Sequence, residues 1–373
     1  MTSRDGKSLK TITVVSTYPK TGSKNIGDEL ITESLVRAIR HVGGEVEIRV
    51  VSRMDDWSSV SKHIDTADHI LFACLAIRPE MHRREYPWLH KGVESGVPLS
   101  AISAGTSLLV DQRGEGLFSG ISKETMELLR RFNKGVTVLT TRGVLTQKFC
   151  EHHGLDKAIF TGDVAFYDPR FDQRIFEEAR KVRNVVVSDP HRPDAYLPVM
   201  DRLLELLPIL FSDARIAIAQ HGVGSGCHRL GAKHGIPVIE VFKDLKNGLE
   251  LYDQTDLHVG FRVHAHVSAL KRRKYSYLLE QDGRGYEYGL TLDRKISVAA
   301  IANGALAINL RNIAKVFKIG MITFDRRPHV VVADQLLSMI SADKRLGFSR
   351  FSGLERQIHR FNEDTLSALK RIF

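Results

Sequence analysis

The sequence predicts an α/β protein built as two doubly wound, parallel-sheet domains facing each other across a cleft. Three observations carry that expectation. Short runs rich in Val, Ile, Thr and Phe alternate with stretches whose apolar residues recur at helical spacing. The composition shifts once, at the charged, proline-containing segment 167–174, and the same alternation then starts again. A length of 373 residues, with 43% hydrophobic and 26% charged content, gives each half room for a full core.

Taken in order, 11–16 reads as a strand and 28–41 as a helix whose apolar stripe is Leu30, Ile31, Leu35, Ile39 and Val42. Strand 45–51, helix 57–64 and the apolar strand 69–73 follow, then a helix before Gly96. Strand 98–103, helix 122–132, strand 136–140, helix 143–153 and strand 158–161 complete a first Rossmann-like domain, 1–175. The second, 176–335, opens with strand 184–188 and a helix at 195–211 that Pro208 kinks or shortens. It continues with strand 215–219, helix 225–234, strand 236–242 and strand 257–261, which runs into a helix at 265–270. Residues 296–308 read as helix and 318–322 as strand. The tail, 336–373, is basic and amphipathic, with Leu354, Ile358, Phe361, Leu366 and Leu369 on roughly one helical face. Such a helix packs back across the domains or docks on an acidic membrane surface.

A net charge of +10 favours anionic partners, yet no basic-aromatic alternation, zinc-finger spacing or RNA-recognition signature is present, so nucleic acid is not an expected partner. The loop 21–27 has neither GxGxxG nor GxxxxGK[ST], which argues against NAD and ATP. Cys74, Cys150 and Cys227 form no CxxC and no histidine pair has ligand spacing; free thiols, a reducing compartment and no metal are expected. The polar N-terminus and the lack of a long apolar run predict a cytoplasmic protein, with any membrane contact peripheral at the inner face.

Chemistry concentrates in Asp256-Leu257-His258-Val259-Gly260-Phe261-Arg262-Val263-His264-Ala265-His266. Arg262 and His264 fall where a buried strand becomes a helix, at the carboxyl edge of the second sheet, where first-turn amides face anions and open sheets bind ligands. An arginine fork suits carboxylate or phosphate, and an imidazole moves protons near neutral pH. Two further strand ends offer histidines: His191 and Arg192 in Asp189-Pro190-His191-Arg192-Pro193, and His221 before a glycine-rich loop. His191 reads as a ligand contact or as part of a capped turn, and His221 as lining the site or packing under it. In the first half, Asp28 is an N-cap or an acceptor contact, and Gly105 in Ser103-Ala104-Gly105-Thr106-Ser107 permits close ligand approach or a tight connection.

On these residues the chain resembles the polysaccharide pyruvyl transferase family. The likeness rests on Asn25-Ile26-Gly27-Asp28-Glu29 opening a helix, on Gly162-Asp163-Val164-Ala165-Phe166, and on the Arg262-x-His264 element, whose order and rough spacing agree from about residue 12 to residue 330. One departure stands out: where many members carry Tyr-Asp-x-Lys, this chain has Glu280-Gln281-Asp282-Gly283-Arg284, so Arg284 takes the place of the lysine. The resemblance implies an architecture like that of B-type glycosyltransferases and transfer of pyruvate from phosphoenolpyruvate to two hydroxyls of a saccharide, giving a cyclic ketal in polysaccharide or exopolysaccharide biosynthesis. Phosphoenolpyruvate is then a donor substrate and no cofactor is needed; the acceptor is polymeric, nucleotide-linked or lipid-linked. In this reading His264 is the general acid and Arg262 holds the donor's carboxylate or phosphate. His191, Arg192, His221 and Arg284 assist on the donor side, while Asn25, Asp28 and Gly105 contact substrate on the acceptor side, the first domain. The alternatives are a nucleotide-sugar glycosyltransferase and a non-catalytic protein of the same fold that binds anionic glycans.

Overall fold

The computed structural model describes residues 9–18, 26–107, 120–224, 226–244, 247–300 and 330–373. In the first half β1 (Lys10–Ser16), α1 (Ile26–Gly43), β2 (Val46–Ser52), α2 (Trp57–Ile64), β3 (His69–Ala73), β4 (Ala76–Ile77), α3 (Met81–Arg84) and α4 (Leu89–Glu94) are followed by β5 (Leu99–Thr106), α5 (Lys123–Gly135), β6 (Val136–Thr141), α6 (Val144–His152) and β7 (Ala158–Phe160). All strand pairs are parallel, in the order β2-β1-β3-β5-β6-β7, with β4 beside β5. Parallel strands covered on both faces are mostly apolar, and β3 and β5 are buried at every position, their polar His69 and Ser100 bonded to each other at 2.9 Å.

The second half repeats the scheme with β8 (Asn184–Ser188), α7 (Pro193–Leu210), β9 (Arg215–Ala219), α8 (Cys227–His234), β10 (Val238–Ile239), β11 (Leu257–Gly260), α9 (Val263–Lys271), β12 (Tyr275–Glu280), α10 (Gly283–Thr291) and β13 (Ser297–Ala299). Its strands are also parallel, in the order β10-β9-β8-β11-β12-β13. The chain is therefore the α/β protein with two Rossmann-like sheets that the alternation predicts. None of the three cysteines is in a disulfide, and no helix among the described residues is long and apolar enough to cross a membrane.

Four local expectations are corrected. Strand β5 runs on through Gly105 to Thr106, beyond the loop expected from Ser103; Ser103 has φ +59° at a break in the β5–β6 register, where its Oγ accepts from Val164 N at 2.7 Å. The strand expected over 236–242 is only Val238–Ile239, because it lies at the sheet edge and turns at once into a 3-10 helix, Val241–Lys243. Helix α7 passes Pro208 and ends at Leu210, with Pro198 also inside it; six large side chains from Tyr196 to Leu207 hold it by packing. A strand, β13, stands where a helix was expected from Ile296, since Leu278, Leu279 and Glu280 of β12 offer an open ladder there; residues 301–308 and 318–322 lie outside the described residues.

The tail comprises α11 (Val331–Arg345), which packs on α7 and β13, and α12 (Leu354–Lys370), which returns to α1 and β6 of the first sheet. Leu354, Ile358, Phe361 and Leu369 of α12 are all buried. Its apolar face is therefore used within the protein, and the membrane-docking reading of this helix is corrected.

One continuous core joins the halves: Ile12 and Val14 of β1, Val185 and Val187 of β8, and Leu257 and Val259 of β11 belong to the same cluster, bridged by Val164, Ala165 and Phe166. The polar seam is as tight. Glu287 of α10, fully buried, accepts from Arg142 Nε at 3.0 Å, Thr146 N at 2.8 Å and Thr146 Oγ1 at 2.5 Å across the interface. Tyr288 OH donates to Asp163 Oδ2, and Thr291 Oγ1 accepts from Val144 N at 3.1 Å. Removing one partner of a buried pair strands the other charge. Glu287→Ala is expected to cost about 3 to 5 kcal/mol in urea denaturation; a loss under roughly 1 kcal/mol would show that water or another carboxylate takes over Arg142.

Candidate active site

Three strand ends of the second sheet converge on one polar cluster. Ser188, the last residue of β8, accepts the amides of Phe261 and Arg262 at 3.0 and 3.2 Å. Its own proton therefore goes to His258 Nε2 at 2.9 Å; His258 Nδ1–H in turn donates to Ser276 Oγ at 2.7 Å, and Ser276 donates to His266 Nδ1 at 2.7 Å. This chain works only with neutral imidazoles. Burial supplies the condition, holding His258 well below its ordinary range and His266 at about 3.

The network fixes the turn that presents Arg262. Arg262 Nε meets Asp189 Oδ1 at 2.9 Å and Nη2 meets Oδ2 at 2.7 Å, while Nη1 donates to His191 Nδ1 at 3.3 Å. Burial would raise the Asp189 carboxyl, but Arg262 and His221 outweigh it and hold it at about 2. The expected open fork for a ligand anion is thus corrected: Asp189 fills two of its arms, and the Nη1 edge beside His191 remains. His191 is exposed at the mouth, and desolvation with the cations Arg284 and Arg262 brings it down to about 4. Gln281 staples these loops, accepting from His191 N and donating to Phe261 O, both at 2.9 Å. Arg192 is exposed where α7 begins.

His221 sits under this cluster. It is 1% exposed, with Nδ1 within 3.1 Å of Ala219 O and Nε2 at 3.0 Å from Tyr252 OH, and its amide donates to Asp189 Oδ1 at 2.9 Å. Of its two readings the geometry selects packing: it props Asp189.

His264 lies in the first turn of α9, 7% exposed, and its Nε2 has no hydrogen-bond partner among the described residues. Gly27 explains how it fits: a Cβ there would stand 2.1 Å from His264 Nδ1, so only glycine lets α1 and α9 meet end to end. Two motifs far apart in the chain are thereby one site. Burial first, then Arg284, Arg142, His221 and Arg262, bring His264 to about 3. At rest it is neutral. Asp28 is inside the first turn of α1, which starts at Ile26, and is not its N-cap; its charge acts on Arg53 and Arg284. Asn25 lies outside the described residues.

Sequence reasoning passed over Arg142, which follows β6 on the facing domain. Its guanidinium lies against Gly105, where a Cβ would come within 2.4 Å of Cζ, and Nη2 donates to Thr106 O at 3.0 Å. Gly105 is thus small to admit an arginine. Arg284 Nη2 bonds to Asp282 Oδ2 at 2.7 Å, the carboxylate that also caps α10. Burial would raise the Asp282 carboxyl, but Arg284 and the amide of Gly285 outweigh it and keep it ionised well below the ordinary carboxylate range. The strand-end position of Arg142 was the available signal for it; Asp189 and Gln281 gave only turn signals.

A family model for polysaccharide pyruvyl transferase matches residues 25–280. No curated protein sequence matches this chain closely enough to count as a relative. Among solved structures, the chain is similar to a S. aureus MnaA–UDP co-structure at 11% identity and TM-score 0.45, covering 91% of this chain and 98% of the other. It is also similar to Methanocaldococcus jannaschii UDP-GlcNAc 2-epimerase in complex with UDP-GlcNAc and UDP, at 10% identity and TM-score 0.45, covering 90% and 100%. A third similarity is to the wall teichoic acid polymerase TagF, at 11% identity and TM-score 0.41, covering 96% and 89%.

Two outcomes follow from this geometry. His264 and His266 bind protons less readily folded, at about 3, than at the ordinary 6.5, so the unfolded chain takes up more protons between those values. Stability is full above about pH 6.5 and falls with decreasing pH, by roughly 1 kcal/mol per pH unit for each such histidine. His266→Gln should flatten the fall of the urea midpoint between pH 6.5 and 4; an unchanged slope would mean that His266 does not titrate this way. Gly27→Ala should push α1 and α9 apart at the His264 ring and lower the melting temperature; an unaltered melt would show that His264 accommodates the methyl.

Proposed function

The chain belongs to the polysaccharide pyruvyl transferase family, and from that premise we propose that it moves the pyruvate moiety of phosphoenolpyruvate onto two hydroxyls of a saccharide, closing a cyclic ketal. The observation that carries this reading is the buried His264, its Nε2 without a partner among the described residues, inside the field of Arg142, Arg262 and Arg284. A site of that kind suits a donor with a carboxylate and a phosphate beside a carbon that must be protonated.

The sequence of events can be written with its atoms balanced. Donor anions raise the proton affinity of His264, reversing the effect of burial and of the arginines. His264 then delivers a proton to the donor's methylene carbon, which becomes a methyl group, while C2 gains oxocarbenium character. One acceptor hydroxyl adds to C2 and its proton restores His264. The C2–O bond to phosphate breaks, the second hydroxyl closes the ring, and its proton leaves on the phosphate. Arg142, Arg284 and the Nη1 edge of Arg262 stabilise the departing charge. Asp189 holds Arg262 in place, and Gln281 and Ser188 hold the loops. The acceptor enters from the first domain, on the side of Asp28.

Incubation with phosphoenolpyruvate and a panel of glycans, followed by mass spectrometry, should reveal the ketal mass gain; sugar transfer from a nucleotide sugar in its place would sink the proposal. His264→Ala should lower single-turnover ketal formation by about 100- to 10,000-fold, with circular dichroism unchanged. Near-normal turnover in that folded variant would move the acid role to His191. Because guanidinium groups meet the donor's charge, a chelator should leave turnover intact; loss restored by one divalent ion would refute that part.

A further inference from the structure

The two sheet orders end at β2 and β7, and at β10 and β13. Three of these edge strands are short, with three residues in β7, two in β10 and three in β13. A short edge offers too few unpaired groups to template another strand, which is one way native sheets stay protected. The exception is β2. It runs for seven residues, Val46–Ser52, in unbroken register with β1, and among the described residues nothing pairs with its other side. Arg53 N donates to Ser16 O of β1 at 3.0 Å, whereas Ser52 N turns away and meets Asp55 Oδ2 at 2.9 Å. Backbone groups alternate in direction along a strand, so the amides and carbonyls of Val46, Ile48 and Val50 face outward as the amide of Ser52 does. Asp55 closes the ladder at one end and leaves those three residues open.

The open edge is complementary to itself. An antiparallel second copy centred on Ile48 sets Ile48 opposite Ile48, and Val50 opposite Val46 of the second copy, as hydrogen-bonded pairs. Glu47 then falls opposite Arg49 of the second copy, twice, at the non-hydrogen-bonded positions where side chains come closest. Within one chain Glu47 Oε1 already meets Arg49 Nε at 2.8 Å, so the four charges make one alternating row. An edge defended by charge carries like charges that repel across a pairing; unlike charges placed evenly about Ile48 favour it. Val50, 53% exposed in the single chain, gains an apolar neighbour. We propose that β2 is a homodimer interface, pairing antiparallel with β2 of a second copy so that the two first sheets become one continuous sheet about a two-fold axis. The carboxyl edges of the joined sheets then point in opposite directions. Each cleft opens on its own side of the dimer and keeps all of its own groups, so the proposal is independent of the reaction assigned to the cleft.

The test is sedimentation velocity on the full chain at micromolar concentration, which should show a dimer. Glu47→Arg sets like charges across both pairs and should weaken the dimer about tenfold or more, as should Arg49→Glu. The double exchange, Glu47→Arg with Arg49→Glu, should restore it. Val50→Pro removes an outward amide that β1 does not use, so it should give a monomer with an unchanged circular dichroism spectrum. Should Val50→Pro fail to fold, the charge exchanges decide, because Glu47 and Arg49 are both partly exposed. A monomer at every concentration would overturn the interface and leave the edge to a strand from some other partner. A dimer equally tight in folded Glu47→Arg and Val50→Pro would place the contact on another surface and overturn it too. So would a folded double exchange that fails to associate.

Discussion

The contact between Glu287 and Arg142 is the constraint on which the cleft depends. A glutamate from the second domain, fully buried, neutralises an arginine at a strand end of the first, and the same carboxylate takes the amide and hydroxyl of Thr146. A charged pair this far from water persists only with its remaining bonds satisfied, and Thr106 O meets a further arm of Arg142. The consequence is positional. Arg142 can stand near His264 only while α10 and α6 stay in register, so the cation of one domain and the imidazole of the other keep one geometry. The apolar cluster shared by β1, β8 and β11 reinforces this, because sliding one sheet past the other would expose Val14, Val187 and Val259 together.

Within that frame, charge is arranged by pairing and neutrality by burial. Asp189 and Asp282 each steady an arginine, leaving part of its donor set toward the cleft. The histidines are handled in the opposite way. His258 and His266 stay neutral because their hydrogen-bond chain through Ser188 and Ser276 needs an acceptor nitrogen on each. His264 is neutral at rest because desolvation and nearby arginines oppose its charge, and it lacks the serine partners that tie up the others. Its proton affinity is therefore free to respond to an incoming anion, as the acid role proposed for it requires.

Much of this was legible in the chain. Period-two and period-3.6 patterns are local, so strands such as 69–73 and 215–219 and the helix 57–64 were read with their observed bounds. The rule that open parallel sheets bind ligands at their carboxyl edges marked Arg262, His264 and His191 as neighbours, and the family resemblance added Arg284. What remained hidden is non-local. Arg142 and Glu287 are 145 residues apart, and Arg262 and Asp189 are 73 apart; no periodicity announces which carboxylate will occupy an arginine. Gly105 read as permitting close ligand approach or a tight connection, and Gly27 only as part of a motif, because a missing side chain says that something comes close, not what does. The sequence by itself determined the alternation of elements, the sheet class and the strand ends that carry chemistry, since these follow from short-range spacing. Only the tertiary structure decided which arginines are already paired, that His221 packs beneath the cluster while His264 meets Gly27, and that the tail helix returns to the first domain, because burial and charge pairing depend on groups brought together from distant parts of the chain.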